Sequence, residues 1–199
     1  MLAPLSAAAQ TSAPSQPGPY AIDLRAALSG VPQDPSFFPP IPSGAAIPRR
    51  GLGIEVGGHV YLMRLGAARL GVGASVMRVR AAFSPEDEEG QDVTTRLTTV
   101  APQVSLNFGS RDGWSYVSGG VGPAKVRTTG PELVLDGARR SEKESTMRSI
   151  NVGGGARWFT KPHLAFSFDV RFHILSAGNG SVPTPGSTLV AASGGISLK

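Results

Sequence analysis

The chain lacks several features that would assign it to a familiar class. Cysteine is absent from all 199 residues, which excludes disulfides, thiolate metal sites and cysteine nucleophiles. Aromatic residues make up only 7% of the chain. No apolar run approaches the roughly 20 residues that a membrane-spanning helix requires. The net charge of +5 is modest and no basic patch is interleaved with aromatic residues, so we expect no nucleic-acid partner.

Glycine and proline are abundant instead, with 26 and 17 residues. This composition is typical of many strands joined by turns, and the chain length suits one folded domain. The first residues are different. Residues 2–9 end in small residues of the kind that precede signal-peptide cleavage, here after Ala9, and residues 10–19 are polar and rich in proline. We therefore predict a signal-peptide remnant and tether over 1–19 and a folded domain over 20–199.

The clearest structural signal is a strict alternation near the C-terminus. From Leu164 to Ile174 every second residue is large and apolar, and the residues between are small or charged. Alternate side chains of a strand point to opposite faces, so one face is apolar and the other ionic. The same period recurs in segments 20–28, 52–62, 69–76, 100–108, 114–126, 150–158 and 190–198. With no helix to cover the apolar faces, this pattern predicts a transmembrane β-barrel, apolar outside and polar within.

The connections between these eight segments alternate strictly in length. Short turns fall at 64–66, 109–113 and 160–163, and long polar segments at 29–51, 82–93, 127–146 and 176–186. Outer-membrane barrels have short periplasmic turns and long extracellular loops, so both termini should be periplasmic. Pro102 interrupts the fourth segment, and proline in a sheet normally marks an edge or a bulge.

The tyrosines and tryptophans cluster at one end of the predicted strands. All of them fall near the short turns, where the ring of an aromatic residue can lie at the lipid headgroups. This pattern predicts membrane-interface positions for Tyr20, Tyr61, Trp114, Tyr116 and Trp158.

Two glycine-rich stretches carry a family resemblance. Tyr116-Val-Ser-Gly-Gly-Val-Gly122 and Gly153-Gly-Gly-Ala-Arg-Trp-Phe159, the latter followed by Thr160-Lys-Pro-His163 and the phenylalanine-rich segment, resemble the eight-stranded outer-membrane barrels of the OmpA/OmpX/OmpW kind. The resemblance spans roughly residues 20–198. It implies an all-β, antiparallel, up-and-down transmembrane barrel in the bacterial outer membrane. It also implies a monomer in contact with outer-membrane lipid and lipopolysaccharide and inserted by the barrel-assembly machinery.

The inward face of this predicted barrel carries a set of charged and imidazole side chains. The interior of eight strands is only just wide enough for side chains, and an unpaired buried charge is costly. We therefore predict a charge network that fills the lumen, with Gly71, Gly155 and similar residues leaving room for long arginines or water. Its members are Glu55, His59, Arg69, Arg157, Asp169, Arg171 and His173. A narrow gated pore is the functional alternative.

An enzymatic alternative lies at the end of the seventh segment. His173 and Ser176, with residues 183–186 and 194–197, faintly resemble the last hairpin of outer-membrane lipid A deacylases, which use a serine nucleophile and a histidine base. The spacing departs from that family, because the pair is three residues apart here and two apart there. Three residues apart in a strand means opposite faces.

The remaining alternative is a soluble, lipocalin-like binder with the apolar faces turned inward. The acidic run Ser84–Asp92 lacks the spaced ligands of a calcium loop, and nothing in the sequence requires a metal or cofactor. Phe37 and Phe38 in the first long connection either contact a partner or pack on the rim of the barrel. The sequence thus favours a non-enzymatic outer-membrane barrel with a structural or surface-interaction role and a mostly plugged lumen.

Overall fold

A computed structural model describes residues 19–40, 46–83, 93–110, 113–135, 138–178 and 183–199, with the side chains of Ser110 and residues 131–140 left out of the description. The predicted signal-peptide remnant and tether lie almost entirely outside the described residues, and the acidic run Ser84–Asp92 lies wholly outside them.

Eight antiparallel strands form a closed barrel in which each strand pairs with its neighbours in sequence and β1 pairs with β8. The predicted eight-stranded, up-and-down architecture is confirmed. The strands are β1 (Tyr20–Gly30), β2 (Arg50–Leu65), β3 (Ala68–Phe83), β4 (Val93–Ser110), β5 (Gly113–Leu135), β6 (Ala138–Lys161), β7 (Leu164–Leu175) and β8 (Ser187–Leu198). A single 3-10 turn, Pro35–Phe37, lies between β1 and β2. Among the described residues, no helix has the length and apolar character needed to cross a membrane.

Burial alternates along the strands and is inverted relative to a water-soluble protein. In β1 every second residue is buried in the lumen and the residues between face outward. The outward residues of β7, such as Phe166 at 62% exposed, are large and apolar. Inward residues include Asp169 and Arg171, at 1% and 3% exposed. An apolar outer face around a polar lumen is the arrangement that a barrel in lipid requires.

One long connection was predicted wrongly. Residues 127–146 are not a loop, because β5 runs to Leu135 and β6 starts at Ala138. The ladder continues beyond the apolar band because oppositely charged side chains face each other across it. Glu144 lies 2.7 Å from both Lys125 and Arg127, and these two cations hold the pKa of the Glu144 carboxyl below its ordinary value. The other three long connections have the predicted bounds to within two residues. However, β3 continues to Phe83 and β4 already begins at Val93, beyond the alternating segments 69–76 and 100–108.

Pro102 marks neither an edge nor a bulge. It keeps its register with β3 opposite Ala74. On the β5 side the ladder is interrupted between the pairs Thr99–Ala124 and Gln103–Gly120 and resumes with the same register. Pro123 lies within the same gap, so two residues without an N–H donor share one short interruption. A closed barrel tolerates this gap because the neighbouring pairs hold both strands in place.

Candidate functional site

The lumen holds nearly all of the charged residues that the sequence placed there. Six of the seven are at most 5% exposed: Glu55, His59, Arg157, Asp169, Arg171 and His173. Arg69 is half-buried near the periplasmic end of β3, opposite the buried Asn107. Two central members, Asp23 and Arg25, were missing from the predicted set, although the alternation of residues 20–28 places both on the inward face.

Asp23 accepts hydrogen bonds at the centre of a buried cluster that we call the polar network. Its members are Asp23, Arg25, Glu55, Tyr116, Arg157, Asp169 and Arg171. Arg157 makes a two-pronged contact with the Asp23 carboxylate, through Nε at 2.8 Å and Nη2 at 2.7 Å. Arg25 Nη2 lies 2.9 Å from the same carboxylate, and the hydroxyl of Ser197 also donates to it. Because Asp23 belongs to β1, Arg157 to β6 and Ser197 to β8, these contacts join strands on both sides of the closure.

Tyr116 connects the two halves of the polar network. Its hydroxyl accepts a hydrogen bond from Arg25 Nη2 at 2.8 Å and donates one to Asp169 at 2.7 Å. The guanidinium of Arg157 lies 4.1 Å from the centre of the same ring, within the range of a cation–π contact. The Tyr116 hydroxyl therefore links Arg25 of β1 to Asp169 of β7 through two hydrogen bonds.

The charges of the polar network balance among its described members. Three guanidinium groups, of Arg25, Arg157 and Arg171, share the lumen with three carboxylates, of Asp23, Glu55 and Asp169. Arg171 contacts Asp169 through two nitrogens, at 3.0 and 3.2 Å. The Ser193 hydroxyl donates to Glu55 at 2.6 Å. Paired and hydrogen-bonded charges are the condition under which ions remain in a low-dielectric interior.

The structure does not assemble the hydrolytic pair. His173 is 2% exposed inside the lumen, and neither of its ring nitrogens has a hydrogen-bond partner among the described residues. The Ser176 hydroxyl is instead on the exposed side, where it donates to the main-chain carbonyl of Arg148 at 3.1 Å. In the described part of the chain, no three His, Asp or Glu side chains come together in a way that could hold a metal ion.

Three of the five predicted interface aromatics were placed on the wrong face. Tyr20 and Trp158 point outward, at 43% and 54% exposed, but Trp114 and Tyr116 are buried in the lumen at 1% and 3%. Tyr61, also expected at the interface, is inward as well. These aromatic residues do lie near strand ends, as predicted. Closeness to a strand end does not determine whether a side chain points into the lumen or toward lipid.

Glycines on the neighbouring strands indicate that these aromatic side chains point into the lumen. A Cβ on Gly155 would lie 2.7 Å from the Tyr116 hydroxyl oxygen and would collide with the carbonyl of Phe168. A Cβ on Gly71 would lie 2.8 Å from the Tyr61 ring. The lumenal glycines therefore make room for tyrosines as well as for arginines.

An aromatic layer closes the periplasmic end of the lumen. Trp114 packs edge-on against Tyr61, with ring centres 6.2 Å apart. It also packs against Phe159 in a tilted arrangement, with ring centres 4.6 Å apart. The ammonium of Lys199 lies 3.9 Å from the centre of the Phe159 ring. The layer lies below the polar network and separates it from the periplasmic side.

The extracellular half of the lumen is apolar, a feature that the sequence did not predict. Phe37 and Phe38 of the first connection are 1% and 4% exposed and pack inside the barrel mouth. The Thr128 hydroxyl and the Lys143 ammonium donate to the main-chain carbonyls of Phe37 and Ser36, which fixes the connection. We call this cluster the apolar plug; with the two phenylalanines it includes Val31, Met77, Leu97 and Val126.

Fold and surface chemistry together define the class: an eight-stranded transmembrane β-barrel of the kind found in the bacterial outer membrane. Among solved structures the chain is similar to Neisserial surface protein A (14% identity, TM-score 0.54, covering 92% of this chain and 97% of that one). It is also similar to Ail, the attachment invasion locus protein of Yersinia pestis, in complex with the heparin analogue sucrose octasulfate (14% identity, TM-score 0.53, covering 90% and 96%). No protein-family model and no curated protein matches the sequence. At this identity the likeness concerns the fold.

Proposed function

We propose that this protein is a closed, non-enzymatic outer-membrane barrel that acts through its extracellular surface, in a structural or surface-interaction role. The observation that supports this proposal is the filling of the lumen by three successive layers: the aromatic layer, the polar network and the apolar plug. An interior filled in this way would leave no path for a solute and no pocket for a substrate between the described residues. The extracellular rim and loops are then the surfaces available for binding.

The monomeric state belongs to the same proposal. Closure of the barrel by β1 and β8 leaves neither of these strands as an edge that could pair with another chain. Insertion by the barrel-assembly machinery follows from the membrane-facing surface, because an apolar band of this kind cannot remain in water.

The extracellular end presents cations at which a polyanion can bind. Arg49 and Arg50 are exposed where β2 begins, and the similar protein Ail has been crystallised with a sulfated sugar. Sucrose octasulfate is therefore a suitable soluble probe for a surface-binding role of this chain. Arg64 and Lys161, exposed at the periplasmic end, provide a control with the same change of charge.

The test uses the barrel reconstituted in lipid vesicles with its extracellular end outward. We expect the vesicles to bind sucrose octasulfate, and Arg49→Gln/Arg50→Gln to weaken that binding while Arg64→Gln/Lys161→Gln does not. In the same preparation, mass spectra of added lipid A should be unchanged by the protein. Absence of binding would contradict the surface role, and loss of acyl chains from lipid A would instead establish a hydrolase.

A further inference from the structure

The outward face of the barrel changes from apolar to cationic at one level, but on one side only. On β3 the outward series passes from Val76 to Arg78 and Arg80, and on β5 from Pro123 to Lys125 and Arg127. On β4 it passes from Val100 through Thr98 to Arg96. The first outward positions beyond the apolar band on β8 and β1 are uncharged instead, at Thr188 and Gly30.

The strand register arranges these side chains, which we call the basic rim, in two rows across β3, β4 and β5. The first row is Arg80, Arg96 and Arg127, with each residue directly opposite the next, and the second is Arg78, Thr98 and Lys125. Like charges directly opposite each other on one face destabilise a sheet. An anion that contacts the row would relieve this repulsion.

Local carboxylates neutralise only the β5 end of the basic rim. Arg127 pairs with Glu142 at 2.9 Å and with Glu144 at 2.7 Å, and Lys125 pairs with Glu144. Within the described part of the chain, Arg78, Arg80 and Arg96 form no such ion pair. Among the described residues, these three charges remain available to a partner outside the chain; the acidic run Ser84–Asp92 lies outside the described residues.

Two adjoining surface depressions follow the basic rim. One has a volume of about 220 Å³ and is lined by Arg78, Arg96, Thr98, Lys125 and Arg127. The other, of about 280 Å³, combines Arg78, Arg80 and Arg96 with the outward apolar side chains of Leu52 and Ile54. Arg78 and Arg96 belong to both. Leu52 and Ile54 of β2 lie directly opposite Arg80 and Arg78 of β3. Cations and outward apolar side chains therefore lie side by side, which is complementary to a phosphorylated headgroup with its acyl chain attached.

We propose that the basic rim binds the phosphate groups of a glycolipid of the outer leaflet, lipopolysaccharide, with an acyl chain along Leu52 and Ile54. Guanidinium groups recognise phosphate through paired, charge-assisted hydrogen bonds. The site faces sideways at the end of the apolar band, so it meets the headgroups of the surrounding lipid rather than the solution above the loops. This inference rests on the outer-membrane placement proposed above.

The experiment measures lipid A binding to the full chain, refolded in detergent, by native mass spectrometry. The probes are lipid A with both phosphates, fully dephosphorylated lipid A and sucrose octasulfate. Arg78→Gln/Arg96→Gln removes the two cations shared by both depressions, and Arg64→Gln/Lys161→Gln removes two cations at the opposite end. Heat-modifiable gel mobility of each variant establishes that the barrel has formed before binding is measured.

We expect the phosphorylated lipid to bind about tenfold more tightly than the dephosphorylated one, and R78Q/R96Q to remove that preference while the control variant keeps it. Equal binding of both lipids, or an equal loss in both variants, would overturn the site. Sucrose octasulfate binding that depends on Arg78 and Arg96, with lipid A binding unchanged, would assign the rim to a soluble polyanion and overturn it as well. A chain that never forms the barrel would contradict the outer-membrane placement itself.

Discussion

At the residue scale, the molecule depends on a few buried charges whose partners come from distant parts of the chain. Asp23 receives hydrogen bonds from Arg157, 134 positions away, and from Ser197, 174 positions away. A buried ion pair adds little net stability relative to an apolar pair, but removing one partner strands the other charge. A single substitution in the polar network should therefore lower the free energy of unfolding by more than the whole network adds to it relative to an apolar interior.

Replacing Asp23 with asparagine tests this asymmetry. Arg157 and Arg25 would lose their shared carboxylate, and we expect the free energy of unfolding to fall by about 3–5 kcal/mol. Urea unfolding of the refolded barrel in lipid vesicles, followed by tryptophan fluorescence, measures the change. Asp34→Asn is the matched control, because Asp34 is exposed in the first connection and its carboxylate accepts a hydrogen bond from the N–H of Ser36, a neighbour in the chain. Equal stability of D23N and D34N would refute the role of Asp23.

Gly155 provides a second test at this scale. A methyl group at this position meets the Tyr116 hydroxyl and the Phe168 carbonyl, so we expect Gly155→Ala to destabilise the barrel by about 1–3 kcal/mol. In Gly194→Ala the added methyl group would make only ordinary contact, 3.8 Å from the Ser167 carbonyl. The same unfolding assay compares the two, and a larger loss in G194A than in G155A would contradict the packing described.

The predictions for single residues show what a pattern in sequence can and cannot specify. Alternation placed Glu55, Asp169 and Arg171 on the inward face, because the period of two is built into any strand. Trp114 and Tyr116 were placed wrongly, because the glycines at 119, 120 and 122 obscure the alternation of their segment and only proximity to a turn was used. Which cation pairs with which anion depends on register and shear between distant strands, and no local pattern specifies these.

At the scale of single elements, the first connection acts as part of the interior. Its 3-10 turn begins after Asp34, whose carboxylate accepts from the Ser36 N–H at 2.9 Å, and it delivers Phe37 and Phe38 to the lumen. This contact holds the pKa of the Asp34 carboxyl below its ordinary value. Two adjacent aromatic residues in a long connection did not distinguish rim packing from partner binding, since both require an apolar surface. The length of β5 and β6 was also missed, because polar alternating residues beyond a membrane resemble a loop.

Removing the rings of Phe37 and Phe38 tests whether the first connection stabilises the barrel. We expect Phe37→Ala/Phe38→Ala to lower the free energy of unfolding by at least about 3 kcal/mol, since each ring fills space in the apolar plug. Phe83→Ala is the control, because Phe83 is 38% exposed at the end of β3. Chemical unfolding in vesicles measures all three proteins. An unfolding free energy like that of the unmodified chain would mean that the connection rests on the rim without stabilising it.

At the scale of the whole molecule, the three layers of the lumen act in series. If each layer alone blocks the passage, as the proposed closed state requires, opening one layer does not open the barrel. The number of strands, their order, the short turns and three of the four long connections were readable from the sequence, since these follow from periodicity and turn residues. The division of the lumen into polar and apolar halves follows from how the first connection folds back, which depends on tertiary contacts.

Planar bilayer recordings test closure. We expect no discrete conductance steps from the reconstituted barrel, and none from F37A/F38A either, because the polar network and the aromatic layer remain in place. A large water-filled porin in the same bilayers serves as the positive control. Unitary steps whose size changes in Arg157→Gln or Arg171→Gln would establish a narrow pore instead.

The pairing of β1 with β8 has a consequence for how the chain enters its membrane. Until these two strands meet, Asp23 has neither its β6 nor its β8 partner, and both strands present unpaired backbone groups. Neither an isolated charge nor an open strand edge is tolerated in hydrocarbon. Hairpins therefore cannot cross one by one and wait for the rest. We therefore expect translocation of the loops and closure of the ring to occur together, and insertion to wait on the meeting of the two most distant strands.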